Sequence, residues 1–195
     1  NNIRKKIEDV INQVTTGRNG HYLNIHIITG ISGGMGGGSF VDVCYITKKV
    51  LHDLGLEAAR VFGYFVLPDA VISKVGIIGN PVITASNEKN GIASLLEIEH
   101  LMNLKDSNDF KIKTQEKLVD MCHFVSATNM NGVLIEKGYE YALNVIGDYI
   151  IGTWYKKETS IVEEHIKFIP PKLDPEPERG YSQNYHIIGS ANAEI

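Results

Sequence analysis

Few single residue types commit this chain to a chemistry. Its 195 residues hold two cysteines, Cys44 and Cys122. That is no disulfide framework, and both lie in apolar runs, as buried thiols of a cytoplasmic protein do. No apolar run reaches the roughly 20 residues of a membrane-spanning helix, and no signal-peptide pattern is present. Charge of one sign is also lacking: 19 Lys and Arg stand against 23 Asp and Glu, a net −4, which gives no electrostatic case for nucleic acid or an anionic membrane. The seven histidines show no metal-ligand spacing, so no metal site is expected. No internal repeat occurs. Proline is scarce, with six in all, and four of them, Pro170, Pro171, Pro175 and Pro177, share one stretch that reads as an extended linker.

Glycine, by contrast, is concentrated. Between Thr29 and Phe40 six of the residues are glycine. An apolar β-branched run, Leu23 to Ile28, precedes them, and a helix-like run, Phe40 to Leu54, follows. Strand, glycine loop, helix is the layout of a phosphate site. Glycine brings backbone N–H groups close to an anion, and a helix N-terminus adds unpaired donors and partial positive charge. No Lys-Ser or Lys-Thr pair follows the glycines, which excludes a Walker loop. A dinucleotide fingerprint fits poorly, because Ser39 stands where its third glycine belongs and the next strand ends in Leu67-Pro68-Asp69, later than that fold expects its ribose-binding acid.

Apolar positions Ile3, Ile7, Val10, Ile11 and Val14 have helical spacing, so residues 2 to 16 read as a helix. Leu23 to Thr29 and Ala59 to Leu67 read as buried strands, and the helix between them as a crossover with Ser39 as a plausible N-cap. Ala70 to Ser86 reads as a loop and Glu88 to Leu104 as a helix. Phe110 to Ile112 and Cys122 to Ala127 are strand candidates. Gly138 to Ile151 and residues 155 to 168 read as helices. The expected fold class is therefore α/β, a mostly parallel sheet flanked by helices.

The segment Ser32-Gly33-Gly34-Met35-Gly36-Gly37-Gly38 resembles the phosphate loop Gly-Gly-Gly-Thr-Gly-Ser/Thr-Gly of the tubulin/FtsZ superfamily. The flanks are similar in the same order: Ile25 to Gly30, Val61 to Pro68, Asn90 to Leu95, His123 to Asn129 and Tyr185 to Ala191. The chain is identified by this resemblance as a divergent prokaryotic tubulin-like protein. It is expected to be a fragment from the middle of a GTPase domain, because a second glycine loop is missing. Residues 1–168 would form the partial nucleotide-binding domain, 169–184 the Pro-rich linker, and 185–195 the start of a following strand or domain.

The resemblance implies GTP or GDP with Mg2+, head-to-tail self-association into filaments, and hydrolysis completed by a neighbouring subunit. It places Gly33, Gly34, Met35, Gly36, Gly37, Gly38 and Ser39 on the phosphates. It makes Asp69, Glu88, Asn90, Asn129 and Asn144 candidates for ribose or base. No catalytic residue is assigned. The family's threonine and serine/threonine are Met35 and Gly37 here, so two hydroxyls near the phosphates are lost. The family's catalytic acidic loop has no match either, and Asp174, Glu176 and Glu178 are interrupted by prolines. Two alternatives follow: a non-hydrolysing tubulin-fold scaffold, or a Rossmann-type dinucleotide-binding domain.

Overall fold

Period-two alternation of apolar residues organises the molecule. In strand β2 (Arg60–Val66) Val61 and Phe65 point into one core while Phe62, Tyr64 and Val66 point into another. Strand β3 (Met121–Val125) divides likewise, with Cys122 on the first side and Met121 and Val125 on the second. Strands buried on both faces belong to a parallel sheet covered by helices. The computed structural model, which describes residues 2–16, 23–73, 79–102, 117–129, 131–155 and 185–188, has that sheet. Four parallel strands lie in the order β1 (Asn24–Gly30), β2, β3, β4 (Tyr185–Ile188). The register pairs Asn24 with Arg60, Phe62 with Met121, and Cys122 with Tyr185.

Helices α1 (Asn2–Thr15), α2 (Gly34–Asp53) and α4 (Pro81–Met102) contribute Ile11, Phe40, Cys44, Val50, Ile98 and Leu101 to the first core. The short α3 (Pro68–Ile72) and α5 (Gly138–Tyr155) contribute Ala70, Ala142, Val145 and Ile146 to the second. Each fully buried large apolar side chain, such as Phe65, contributes about 1.5–3 kcal/mol. Both cysteines are free and buried. Burial raises the Cys44 thiol to about 12, and raises Cys122 as well.

Three expectations change. Strand β1 is only half-buried, because among the described strands it lies at the sheet's edge with a neighbour on one side alone. The loop expected over 70–86 holds α3, and α4 begins at Pro81. Asn80 explains the early start: its Oδ1 accepts the N–H groups of Val82 and Ile83, each at 3.2 Å, and Pro81 occupies the first helical position. Helix α2 also begins early, at Gly34, with Gly33 as N-cap, so Ser39 is inside the helix and caps nothing. Its other end closes at Gly55 (φ 69°), where the Gly55 N–H bonds His52 O at 3.0 Å and the Leu56 N–H bonds Leu51 O at 2.9 Å.

Residues 185–188, expected to open a following strand or domain, form β4 beside β3. The strand candidate 110–112, the helix beyond residue 155 and the linker 169–184 lie outside the described residues, as do the side chains of Trp154 and Tyr155.

Candidate functional site

Because the strands are parallel, β1, β2 and β3 all end at one edge of the sheet. Backbone bonds continue past them: the Ile31 N–H reaches Val66 O at 3.2 Å and the Leu67 N–H reaches Val125 O at 2.9 Å. The loops after Thr29, Leu67 and Thr128 are thereby brought to one edge of the sheet.

The glycines after β1 divide into two groups. A Cβ on Gly36 would collide with Gly30 O and lie 2.6 Å from Thr29 Oγ1, and one on Gly37 would lie 2.7 Å from Ile31 O. These two let the first turn of α2 settle against the end of β1. A Cβ on Gly33, Gly34 or Gly38 would meet nothing within 4 Å. Packing does not require those three to be glycine.

The first bond of α2 runs from the Gly37 N–H to Gly33 O at 2.8 Å, so the N–H groups of Gly34, Met35 and Gly36 precede the helical ladder. No side chain caps them. They carry the positive end of the dipole of a 20-residue helix. Beside them lies a groove of about 570 Å³, lined by Ile31, Gly33, Gly34, Gly37 and Gly38, and by Asn90, Ala93, Ser94, Glu97 and His100 of α4. Helix α4 fixes the loop: Asn90 Nδ2 donates to Ser32 O at 3.3 Å, and Ser94 Oγ donates to Ile31 O at 2.8 Å. Gly91, between them, lies so close to Pro68 that a Cβ would overlap Pro68 Cγ. Among the described residues, no Lys or Arg lines the groove.

Asp69 forms a second centre. Its Oδ2 accepts from Ser126 Oγ at 2.5 Å, the Ala127 N–H at 2.7 Å and Thr128 Oγ1 at 2.8 Å, which ties the exit of β2 to that of β3. Its Oδ1 is buried with no hydrogen-bond partner among the described residues. The side chain of Asn129 serves a turn, its Oδ1 accepting the N–H groups of Asn131 at 3.0 Å and Val133 at 2.9 Å. Glu88 and Asn144 are exposed and do not line the groove. Asn87 to Asn90 are mid-helical, so none of them caps α4. Met35 is 89% exposed, and Ser39 Oγ is engaged with Met35 O at 2.7 Å.

Of the residues expected to meet a ligand, Gly33, Gly34, Gly37, Gly38 and Asn90 therefore share one groove. Ser94 was missed. It stands four residues after Asn90 and hence on the same helical face, a spacing that was readable. Glu97 and His100 were also missed, and nothing local in the sequence marks them.

A parallel α/β domain with an uncapped, glycine-built helix N-terminus at the carboxyl edge of its sheet is the class that fold and site define. Over residues 1–195 the chain matches the family described as tubulin-like, and it belongs to that family. Neither the curated proteins nor the solved structures contain a match to it.

Proposed function

We propose that this protein binds GTP or GDP, with the phosphates held at the N-terminus of α2. The observation that supports this most is the spare space at Gly33, Gly34 and Gly38, beside three unsatisfied N–H donors. A side chain would fit at each of the three positions, and its absence leaves backbone donors open to an anion. With no Lys or Arg among the described residues of the groove, the helix terminus supplies the attraction. Asn90 and Ser94 hold the loop carbonyls, so the donors are fixed before a ligand arrives.

Asp69, Glu88, Asn90, Asn129 and Asn144 stay as candidates for ribose or base, and Asn90 is the one that lines the groove. Mg2+ would come with the phosphates, since among the described residues no group of three His, Cys, Asp or Glu side chains could hold a metal ion. When bound, it would neutralise phosphate charge. Head-to-tail self-association completes the reading: a heterologous contact that does not close builds a filament. Hydrolysis would draw its remaining groups from the neighbouring subunit.

A second reading, a tubulin-fold scaffold that does not hydrolyse nucleotide, is favoured by Met35 and Gly37, which put no hydroxyl where the resemblance expects two. Calorimetric titration of the full-length protein with GTP, with and without Mg2+ and with ATP and NAD as controls, tests the proposal. Guanine-selective binding supports it. Preference for NAD would move the assignment to a dinucleotide-binding domain.

A further inference from the structure

At the amino edge of the sheet, opposite the glycine loop, a cleft of about 480 Å³ lies where α2 finishes and β2 and β3 begin. Its floor is apolar: Leu51, Ala59 and Val61 are buried there, and Leu56 is half-buried. Basic side chains line it from three parts of the chain. Lys48 and His52 come from α2, Arg60 from the start of β2, and Lys117 from the segment that leads into β3. Two acids, Glu57 and Asp120, share the lining.

Asp120 is already compensated. Its Oδ2 accepts the Val61 N–H at 2.6 Å, and its Oδ1 lies 3.4 Å from Lys48 Nζ. Lys48 Nζ also donates to Lys117 O at 2.7 Å, and the Lys48 side chain is 12% exposed, so this ammonium is built into the wall. Arg60, Lys117 and His52 are exposed, and their side chains have no hydrogen-bond or ion-pair partner among the described residues. Glu57 is the acid that could oppose them, and it too is exposed.

The carbonyl end of the α2 dipole accounts for Lys48 and His52. It does not account for Arg60 and Lys117, which lie outside that helix. Nor is this the solvated face of one element, because Lys48 and Lys117 stand 69 positions apart in sequence. The chain as a whole carries a net −4, so the convergence runs against its composition. An apolar floor under a basic rim is complementary to a ligand that is both acidic and partly apolar. The Arg60 guanidinium adds a planar fork that matches carboxylates.

We propose that the amino-edge cleft is a docking site for an acidic peptide segment of a partner protein, with carboxylates on Arg60 and Lys117 and an apolar side chain on the Leu51–Val61 floor. The site is at the far edge of the sheet from the glycine loop, and the proposal stands whether or not that loop holds a nucleotide.

The experiment measures fluorescence anisotropy of a labelled peptide in which glutamate alternates with leucine, titrated with the full-length protein. A lysine–leucine peptide and phosphatidylserine vesicles are the comparison probes. The expected result is binding of the acidic peptide that weakens as salt is raised. Arg60→Gln combined with Lys117→Gln should weaken it about fivefold, since each exposed ion pair is worth a few-fold at most. Glu57→Gln should tighten it about twofold, because it removes the opposing charge. Lys89→Gln combined with Lys137→Gln, the same change of net charge away from the cleft, should leave the affinity unchanged. Melting of the Arg60 and Lys117 variant should match wild type, because neither side chain has a partner to lose. No binding of the acidic peptide at low salt would overturn the proposal. An equal loss in the Lys89 and Lys137 variant would overturn it too, as would equal binding of the lysine–leucine peptide. Binding to the vesicles alone, lost with Arg60 and Lys117, would assign the cleft to a membrane surface and overturn the peptide assignment.

Discussion

Adjacent glycines in this loop have opposite requirements. Gly37→Ala would force a methyl to 2.7 Å from Ile31 O, a backbone atom that Ser94 also holds. Chemical denaturation should show a loss of about 1–3 kcal/mol. Gly38→Ala meets open space in a helix interior, and should gain about 0.5–1 kcal/mol from helix propensity. If the groove binds phosphate, Gly38→Ala should nevertheless weaken that binding, and a variant both more stable and equally tight would count against the groove. Asp69→Ala removes the acceptor of three hydrogen bonds that join two strand exits. A fall in stability of about 2–4 kcal/mol is expected, because bonds to a charged group are worth about 1.5–3 kcal/mol each and partly reform with water.

The glycine cluster was legible in the sequence as a phosphate-type loop, because glycine density between an apolar run and a helical run has few other uses. The division of labour within it was not legible. That depends on how near Gly30 O and Ile31 O come to the first turn of α2, a distance set by the packing of α2 and α4. The role of Asp69 was similarly hidden, since Ser126 and Thr128 lie more than fifty residues away along the chain.

At the scale of elements, boundaries are where sequence reading and structure part. Asn80-Pro81 is a helix-start signal, an N-cap followed by proline, yet Pro81 among glycines read as loop. Helix α4 is apolar on more than one side, with Ile98 and Leu101 buried and Val82, Ile92 and Leu96 exposed, so periodicity marked its beginning poorly. Asn80→Ala should cost about 0.5–2 kcal/mol of stability, read from urea midpoints. Because α4 also carries Asn90 and Ser94, the same substitution should loosen the glycine loop, and amide exchange at Gly37, whose N–H bonds Gly33 O, should quicken. In α2 the helix begins within the glycines, against their low propensity, because the turn is held by its packing rather than by intrinsic preference.

For the whole molecule, the parallel sheet was readable from β2, whose near-continuous apolar run demands cover on both faces. The half-exposure of β1 was not, since edge or centre is decided by strand order and the apolar sequence is alike in both. One side of the sheet carries a titratable ladder. His26 Nδ1 and Tyr64 OH share a hydrogen bond at 3.1 Å, and the Tyr64 ring stacks on His123 at 4.7 Å. Burial lowers the His26 pKa below its ordinary 6.5. The unfolded chain therefore takes up this proton first as pH falls, and stability from His26, complete above its unfolded pKa, declines through the acid range until the folded imidazole itself protonates. Melting temperature should fall between about pH 7 and pH 5, and His26→Gln should make that fall shallower.

The central claim is that this tubulin-like domain holds a nucleotide by its phosphates at the start of α2. The most direct measurement is the affinity of the full-length protein for GTP in the presence of Mg2+, set beside ATP and NAD under the same conditions. Micromolar, guanine-selective binding, on the order of −8 kcal/mol, is the expected result. No detectable binding of GTP or GDP would contradict the claim and leave a tubulin fold that serves as a scaffold.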